Sequence, residues 1–418
     1  MDKDITETTF LQCLEPINFK KFNALVEKLD ADKYVKKLTT KKMLNLLIYA
    51  QLFNTDSLTH LSSIVSADKD LSKLINLDSI STSQLSRTLR DMESELLNQV
   101  FKKLVVKFIS QKGASRLKDD LGQINIIDAS TISMALSQYS WAEFRKTKAG
   151  VKLNLRLKFH QNIDEVTPDK IVISPAKNAD RTKMDELISI EKGVLNIFDR
   201  GYVDYNKFDD FTDEGILFLS RLKKNAKIEY ISSETKHIDE KTIRESTVKL
   251  GSDINNTKMN NQLRLLEIPD DRNPKKIIKI ITNDFNKTAQ EISDLYRYRW
   301  KIETFFKWIK QHLHVKKFYG MSKNAVKNQL LSALITHLLL SFLKQEAQTQ
   351  KSLLKLKRLL DIYKYKPLKD LIQQLNKPPS RTFDGRKSYK YNDLFKLILQ
   401  EVKYGSPDYY YESNYIME

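Results

Sequence analysis

Asp128, Asp199 and Glu303 are the residues of this chain best suited to chemistry. Each aspartate closes an apolar run, Ile124-Asn125-Ile126-Ile127-Asp128 in one case and Val194-Leu195-Asn196-Ile197-Phe198-Asp199 in the other. Glu303 stands in a spaced set with Tyr296, Arg299 and Lys310. Carboxylates at the ends of buried strands, joined by one from a helix, suit a two-magnesium site for phosphoryl transfer. If the three converge, the substrate they fit is a nucleic-acid backbone.

The elements that must position them can be read from the pattern. A helix turns about 100° per residue, which puts Tyr296, Arg299, Glu303, Lys307 and Lys310 on one stripe. Leu295, Ile302, Phe305, Phe306 and Ile309 fill a separate arc that can pack on a sheet. Spacing alone also allows an ordinary surface stripe with a Glu303–Lys307 pair. Strand candidates lie at 124–128, 151–159, 170–174 and 194–199, with a helical stretch near 181–191. Three adjacent strands, a helix and a further strand, with acids at the first and last strand ends, predict an α/β ribonuclease-H-like core.

Around this core the sequence suggests five stretches. Residues 1–115 read as a helical, DNA-binding N-terminal region. Residues 118–203 form the first part of the core, 204–275 a mostly β insertion and 276–345 the second part. Residues 346–418 read as a helical basic C-terminal region whose tail carries the cluster Arg386-Lys387-Ser388-Tyr389-Lys390-Tyr391. Ser81-Thr82-Ser83-Gln84 has the form of a capping box. The helix after it places Leu85, Leu89 and Met92 on one face and Ser83, Arg87 and Arg90 on another. Arg87 and Arg90 are therefore candidate DNA contacts on a recognition helix. A plain amphipathic helix with solvated arginines fits the same pattern.

Composition narrows the partner. The 418 residues hold 71 Lys and Arg against 53 Asp and Glu, a net charge of +18. That excess suits a polyanion such as nucleic acid. Cys13 is the single cysteine, which excludes internal disulfides and a cysteine-based zinc site. With no signal-peptide pattern at the start, the expected compartment is the cytoplasm. The longest apolar run, Leu330 to Leu343, is too short to cross a bilayer and reads as a buried core helix that includes His337. His312 and His314 are two apart on a presumed helix and make a poor metal pair.

The set Tyr296, Arg299, Glu303 and Lys310 resembles the signature of bacterial insertion-sequence transposases of the insertion-sequence-4 type, in the DDE class. Asp128-Ala129-Ser130-Thr131 and Asp199-Arg200-Gly201-Tyr202 are similar to that family's two aspartate motifs. Lys148-Ala149-Gly150-Val151-Lys152-Leu153 also resembles it, which adds Lys152 to the candidate DNA contacts. The resemblance implies a cut-and-paste DNA transposase. It implies that Asp128, Asp199 and Glu303 bind two Mg²⁺, with Mn²⁺ able to substitute. It implies that Tyr296, Arg299 and Lys310 hold DNA phosphates; Lys307, on the same stripe, joins them as a candidate DNA contact. Its partners would be double-stranded DNA carrying terminal inverted repeats and target DNA, with a homodimer on DNA and no membrane. In some members a tryptophan of the β insertion stacks on a flipped base. Here Trp141, Trp300 and Trp308 all lie outside 204–275. The reading then leaves Tyr230 for stacking and has Trp300 packing beside the site. A nuclease without end specificity, or an inactive relic acting as a repressor, would share the same motifs.

Overall fold

A computed structural model describes residues 8–113, 123–160, 165–238, 241–253, 257–270 and 273–378. The chain divides into two units, Met1–Leu375 and Asn376–Glu418. Of the second, only residues 376–378 are described, so the Arg386–Tyr391 cluster lies outside the described residues.

Helices come first: α1 (Thr9–Leu14), α2 (Phe19–Lys28), α3 (Thr40–Leu52), α4 (Leu58–Ala67), α5 (Lys69–Ile75), α6 (Thr82–Asp91) and α7 (Ser94–Gly113). Most start on a polar cap. Ser81 Oγ accepts the Gln84 N–H at 3.2 Å at the head of α6. Only this half of the expected capping box is formed. A complete one stands at Thr288–Glu291, where side chain and backbone bond in both directions.

Strands follow: β1 (Gln123–Ala135), β2 (Glu143–Arg145), β3 (Lys148–His160) and β4 (Glu165–Pro175). After the short helix α8 (Met184–Leu187) comes β5 (Val194–Phe198), then α9 (Tyr205–Asp213) and β6 (Leu217–Arg221). Four more strands, β7 (Ile228–Ile238), β8 (Lys241–Leu250), β9 (Leu263–Asp270) and β10 (Asn273–Thr282), precede the helices α10 (Ala289–Arg297), α11 (Trp300–His312), α12 (Lys323–Glu346), α13 (Leu353–Tyr363) and α14 (Leu368–Asn376).

Among the described residues these strands make one ten-stranded mixed sheet, ordered β2-β3-β1-β5-β6-β10-β9-β8-β7, with β4 also on β3. The strands β1, β3 and β4 are antiparallel neighbours, and β5 and β6 run parallel to β1. This part has the strand arrangement expected of a ribonuclease-H-like core. Two differences from the sequence reading have physical causes. The stretch 181–191 forms only a 3-10 turn, Asp180–Lys183, and the one-turn α8. And the stretch expected to open a β insertion begins instead with α9 and the parallel strand β6. Phe208 and Phe211, three apart, form the inward stripe of α9, and Phe208 stacks on Phe218 of β6 at 4.4 Å. The antiparallel strands β7 to β10 then continue the same sheet.

Successive strand residues face opposite sides of a sheet. Ile126, Leu195 and Ile197 join the large core that includes the N-terminal helices and α10 to α14. Ile127 and Phe198 join a second core, with α8 and α9. This alternation turns Asp128 and Asp199 toward the face that carries α11, whose Ile302, Phe305, Phe306 and Ile309 are buried as expected.

The N-terminal helices share that large core with α12. Asn328 of α12 donates to the backbone oxygens of Leu89 and Met92. By length and composition α12 could cross a membrane, but 89% of its most apolar window is buried inside the protein. His337 is 5% exposed, between the rings of Phe305 and Trp308. It is the core histidine that the apolar run implies, but its Nδ1 has no hydrogen-bond partner among the described residues, and burial lowers its pKa to about 4.

The end of α11 is tied down from three directions. Gln329 of α12 donates to His314 O at 2.7 Å and Lys317 O at 2.9 Å, and accepts the Tyr319 N–H at 2.8 Å. Gln51 of α3 accepts the His314 N–H at 2.7 Å. Lys357 of α13 donates to His312 O at 2.8 Å and to Asn54 Oδ1 at 2.6 Å. Substituting Gln329→Leu strands several buried backbone groups at once, and a loss of about 2–4 kcal/mol is expected. Chemical denaturation of the two proteins measures it.

Candidate active site

Asp128 lies within β1, opposite Leu155 of β3, where the strand begins to leave the core. Its Oδ1 accepts the Ala129 N–H at 2.7 Å. Asp199 directly follows β5 and caps the 3-10 turn Arg200–Tyr202, its Oδ1 accepting the Gly201 N–H at 2.7 Å. Glu303 stands in the first turn of α11.

One cation connects the acids. Arg299 Nη2 donates to Glu303 Oε1 at 2.5 Å, and its Nη1 lies 3.7 Å from Asp128 Oδ2. The guanidinium also lies 6.0 Å from the centre of the Tyr296 ring. Arg299 is the hinge between α10 and α11, so the single stripe drawn through residues 296–310 is interrupted at Tyr298–Arg299. The backbone keeps a helical hand through this break, which is why Tyr296, Arg299 and Glu303 still come together.

Burial is the main reason that the Asp128 carboxyl is pushed up to about 7. Its bond from Ala129 opposes this, the charge of Asp199 adds to it, Arg299 opposes and Glu303 adds. Asp128 therefore feels both of the other acids. Among the described residues no three acid, histidine or cysteine side chains already form a closed ligand group. Glu303 is turned to Arg299 and Asp199 to its own turn. The donor set consists of carboxylate oxygens, the ligands that hard divalent cations prefer. A buried acid crowded by two like charges is also one that a bound cation would relieve. The residues fit such an ion.

The remaining candidates divide by exposure. Lys307 is exposed on α11, as is Arg87 on α6. Arg90 is exposed too, but it is bonded to Asp91 at 2.7 and 3.0 Å. Lys310 donates to Thr131 O at 3.1 Å and so straps α11 to β1. Lys152 is enclosed, with Asp180 at 2.6 Å and Asn178 O at 2.7 Å. Trp300 is 52% exposed rather than packed away. The Tyr230 ring lies under Arg244, 4.8 Å from its guanidinium carbon. The rings of His312 and His314 face different neighbours, Trp308 and Tyr319.

Three residues at the site had no signal of their own in spacing. Arg221, at the end of β6, and Asp199 both act on the Tyr296 hydroxyl through charge, although burial is the largest influence on it. Asp180 and Tyr202 adjoin the second aspartate turn; a clue to Tyr202 lay in its place within the Asp199–Tyr202 segment.

Residues 120–339, which span all three acids, match the family model described as the transposase DDE domain. The chain belongs to the DDE transposase family. It is similar to a probable transposase for insertion sequence element IS5377 of Geobacillus stearothermophilus, 23% identical over 75% of this chain and 78% of that one. It is also similar to a putative transposase, y4zB, of Sinorhizobium fredii, 28% identical over 61% and 70% of the two chains. A third relative is a putative transposase for insertion sequence element IS4SA of Synechocystis, at 26% over 46% and 56%. Residues 6–77 match a domain of unknown function. The transposase is thus a polynucleotidyl transferase and nuclease of DNA transposition, from a family that uses divalent metal ions.

The raised Asp128 pKa has a stability consequence. Its folded value, about 7, exceeds its ordinary value of 3.8, so the fold keeps a proton that the unfolded chain has lost. Stability of the metal-free transposase should therefore fall as pH rises between those values and level off above them, by on the order of 4 kcal/mol in total. Asp128→Asn should remove this slope. Thermal melts in EDTA are expected to show the variant more stable than the parent near neutral pH, with the difference shrinking in acid.

Proposed function

We propose that this transposase cuts and joins DNA at the ends of an insertion sequence of the insertion-sequence-4 type, using two Mg²⁺ held by Asp128, Asp199 and Glu303. Mn²⁺ would substitute. The observation that carries the reading is Arg299, which spans Asp128 and Glu303, while the charges of Asp199 and Glu303 both act on Asp128. When bound, the metal pair supplies a nucleophilic water or 3′-hydroxyl and stabilises the leaving oxygen. The chain's own groups do the rest. Arg299 neutralises the acids in the metal-free protein and can then grip a phosphate with both arms of its fork. Lys310 fixes α11 against β1 so that Glu303 keeps its height beside Asp128. Lys307 offers an exposed charge one turn further along, and Tyr296 backs the arginine.

The same reading makes β7 to β9 an insertion in the ribonuclease-H-like core and assigns DNA recognition to the N-terminal helices, with Arg87 and Arg90 on the outer face of α6. Its DNA partners are terminal inverted repeats and a target site, held by a homodimer in the cytoplasm at the nucleoid.

Changing Asp128, Asp199 or Glu303 to Ala should abolish cleavage of end-bearing duplex while end binding persists in EDTA. Wild-type cleavage by any of the three would sink the assignment. Equal cutting of random duplex by the parent would favour a nuclease without end specificity. Arg299→Ala should lower the cleavage rate by about a hundredfold, comparable to loss of one transition-state donor, as read in single-turnover assays.

A further inference from the structure

Lys152 was a candidate phosphate contact, yet its ammonium is already spoken for. It lies 2.6 Å from Asp180 Oδ1 and donates to Asn178 O at 2.7 Å, and its side chain is 12% exposed. It sits on β3 directly opposite Thr131 of β1. By the alternation of the strand, it lies on the side of the sheet facing α8 and the second core. The acids of the active site face the other way.

Asp180 reaches from there to the second aspartate turn. A Cβ built on Gly201 would lie 2.9 Å from Asp199 Oδ1 and 3.2 Å from Asp180 Oδ2. The two carboxylates thus flank one glycine, and a side chain at Gly201 would press on both. The turn Asp180–Lys183 packs on the turn Arg200–Tyr202. A second, looser ion pair joins them, Arg181 to Asp204 at 4.0 Å. Tyr202, fully buried, has a hydroxyl with no hydrogen-bond partner among the described residues and feels the charges of Asp128, Asp180 and Asp199.

We propose that Asp180 and Lys152 are positioning residues for Asp199. Together they form a brace from β3, behind the sheet, to the glycine next to the second catalytic acid. The brace holds the turn so that the Asp199 carboxylate stays at the spacing from Asp128 that a divalent ion requires. Outer partners of this kind alter metal affinity by about ten- to a hundredfold when removed. The inference rests on the assignment of Asp199 as a metal ligand.

The test uses the full-length protein with Asp180→Asn, Lys152→Met, the double variant and Lys152→Arg. Free Mn²⁺ is titrated by electron paramagnetic resonance, and end-DNA binding is measured in EDTA across a salt series. Asp180→Asn and Lys152→Met should each weaken Mn²⁺ binding by about tenfold or more, and the double variant should be no worse than either. Lys152→Arg should retain affinity, and DNA binding and its salt slope should not change. The proposal is overturned if Lys152→Met weakens DNA binding and lowers the salt slope by about one charge while Mn²⁺ binding holds, since Lys152 is then a phosphate contact. It is also overturned if Lys152→Arg fails as badly as Lys152→Met with an equal fall in melting temperature. Asp199→Ala separates the two claims. If it keeps parental Mn²⁺ binding, the metal assignment itself fails. If it loses Mn²⁺ while Asp180→Asn does not, only the brace fails.

Discussion

Gathering acids is the constraint on which this structure turns. Three carboxylates in a partly buried edge repel one another, and water cannot fully relieve them. The chain answers with Arg299, placed where two helices meet so that its fork reaches both Asp128 and Glu303. Asp128 absorbs the remaining cost by holding its proton up to about pH 7. The fold therefore keeps its acids close at some expense in stability, which is the usual trade at a catalytic centre. A divalent cation would reverse the balance, since the same crowding that keeps a proton on Asp128 favours a bound positive charge.

The sheet solves the accompanying geometric problem. Asp128 and Asp199 end up on one face because each lies two residues beyond a residue of the larger core, Ile126 and Ile197. Ile127 and Phe198, between them, anchor the opposite face. Parallel pairing of β1 with β5 then brings the two acids to the same end of neighbouring strands. Helix α11 lies across this end with its apolar arc down, so Glu303 is presented at its margin. Lys310 bonded to Thr131 fixes the rotation of that helix.

Much of this was legible because apolar runs that end abruptly in an acid leave a clear trace. The acids and the helical stripe could be read from local order alone. What stayed hidden depends on contacts far apart in sequence. Lys152 reads as a free cation until Asp180, 28 residues on, is found beside it. Trp300 reads as packing material, yet it projects from the outer face of α11 because the neighbouring positions, Ile302 and Phe305, take the core side. The alternating runs further along, Ile228-x-Tyr230 and Leu263-x-Leu265, extend the β reading back over 204–275, whereas the stripe Phe208–Phe211 of α9 shows its partner only once Phe218 of β6 is stacked on Phe208. The break at Tyr298–Arg299 leaves no mark in periodicity, since the helical hand resumes at once.

The knot at the end of α11 reaches outside the segment that matches the family, residues 120–339. Lys357 clasps the loop at Asn54 and the backbone at His312, so three distant parts of the chain meet at one ammonium group. Both Asn54 and Lys357 lie beyond the matched residues, one before them and one after. The seat of the helix that carries Glu303 is thus shared property: the flanking helices hold one end of an element whose acid belongs to the catalytic segment.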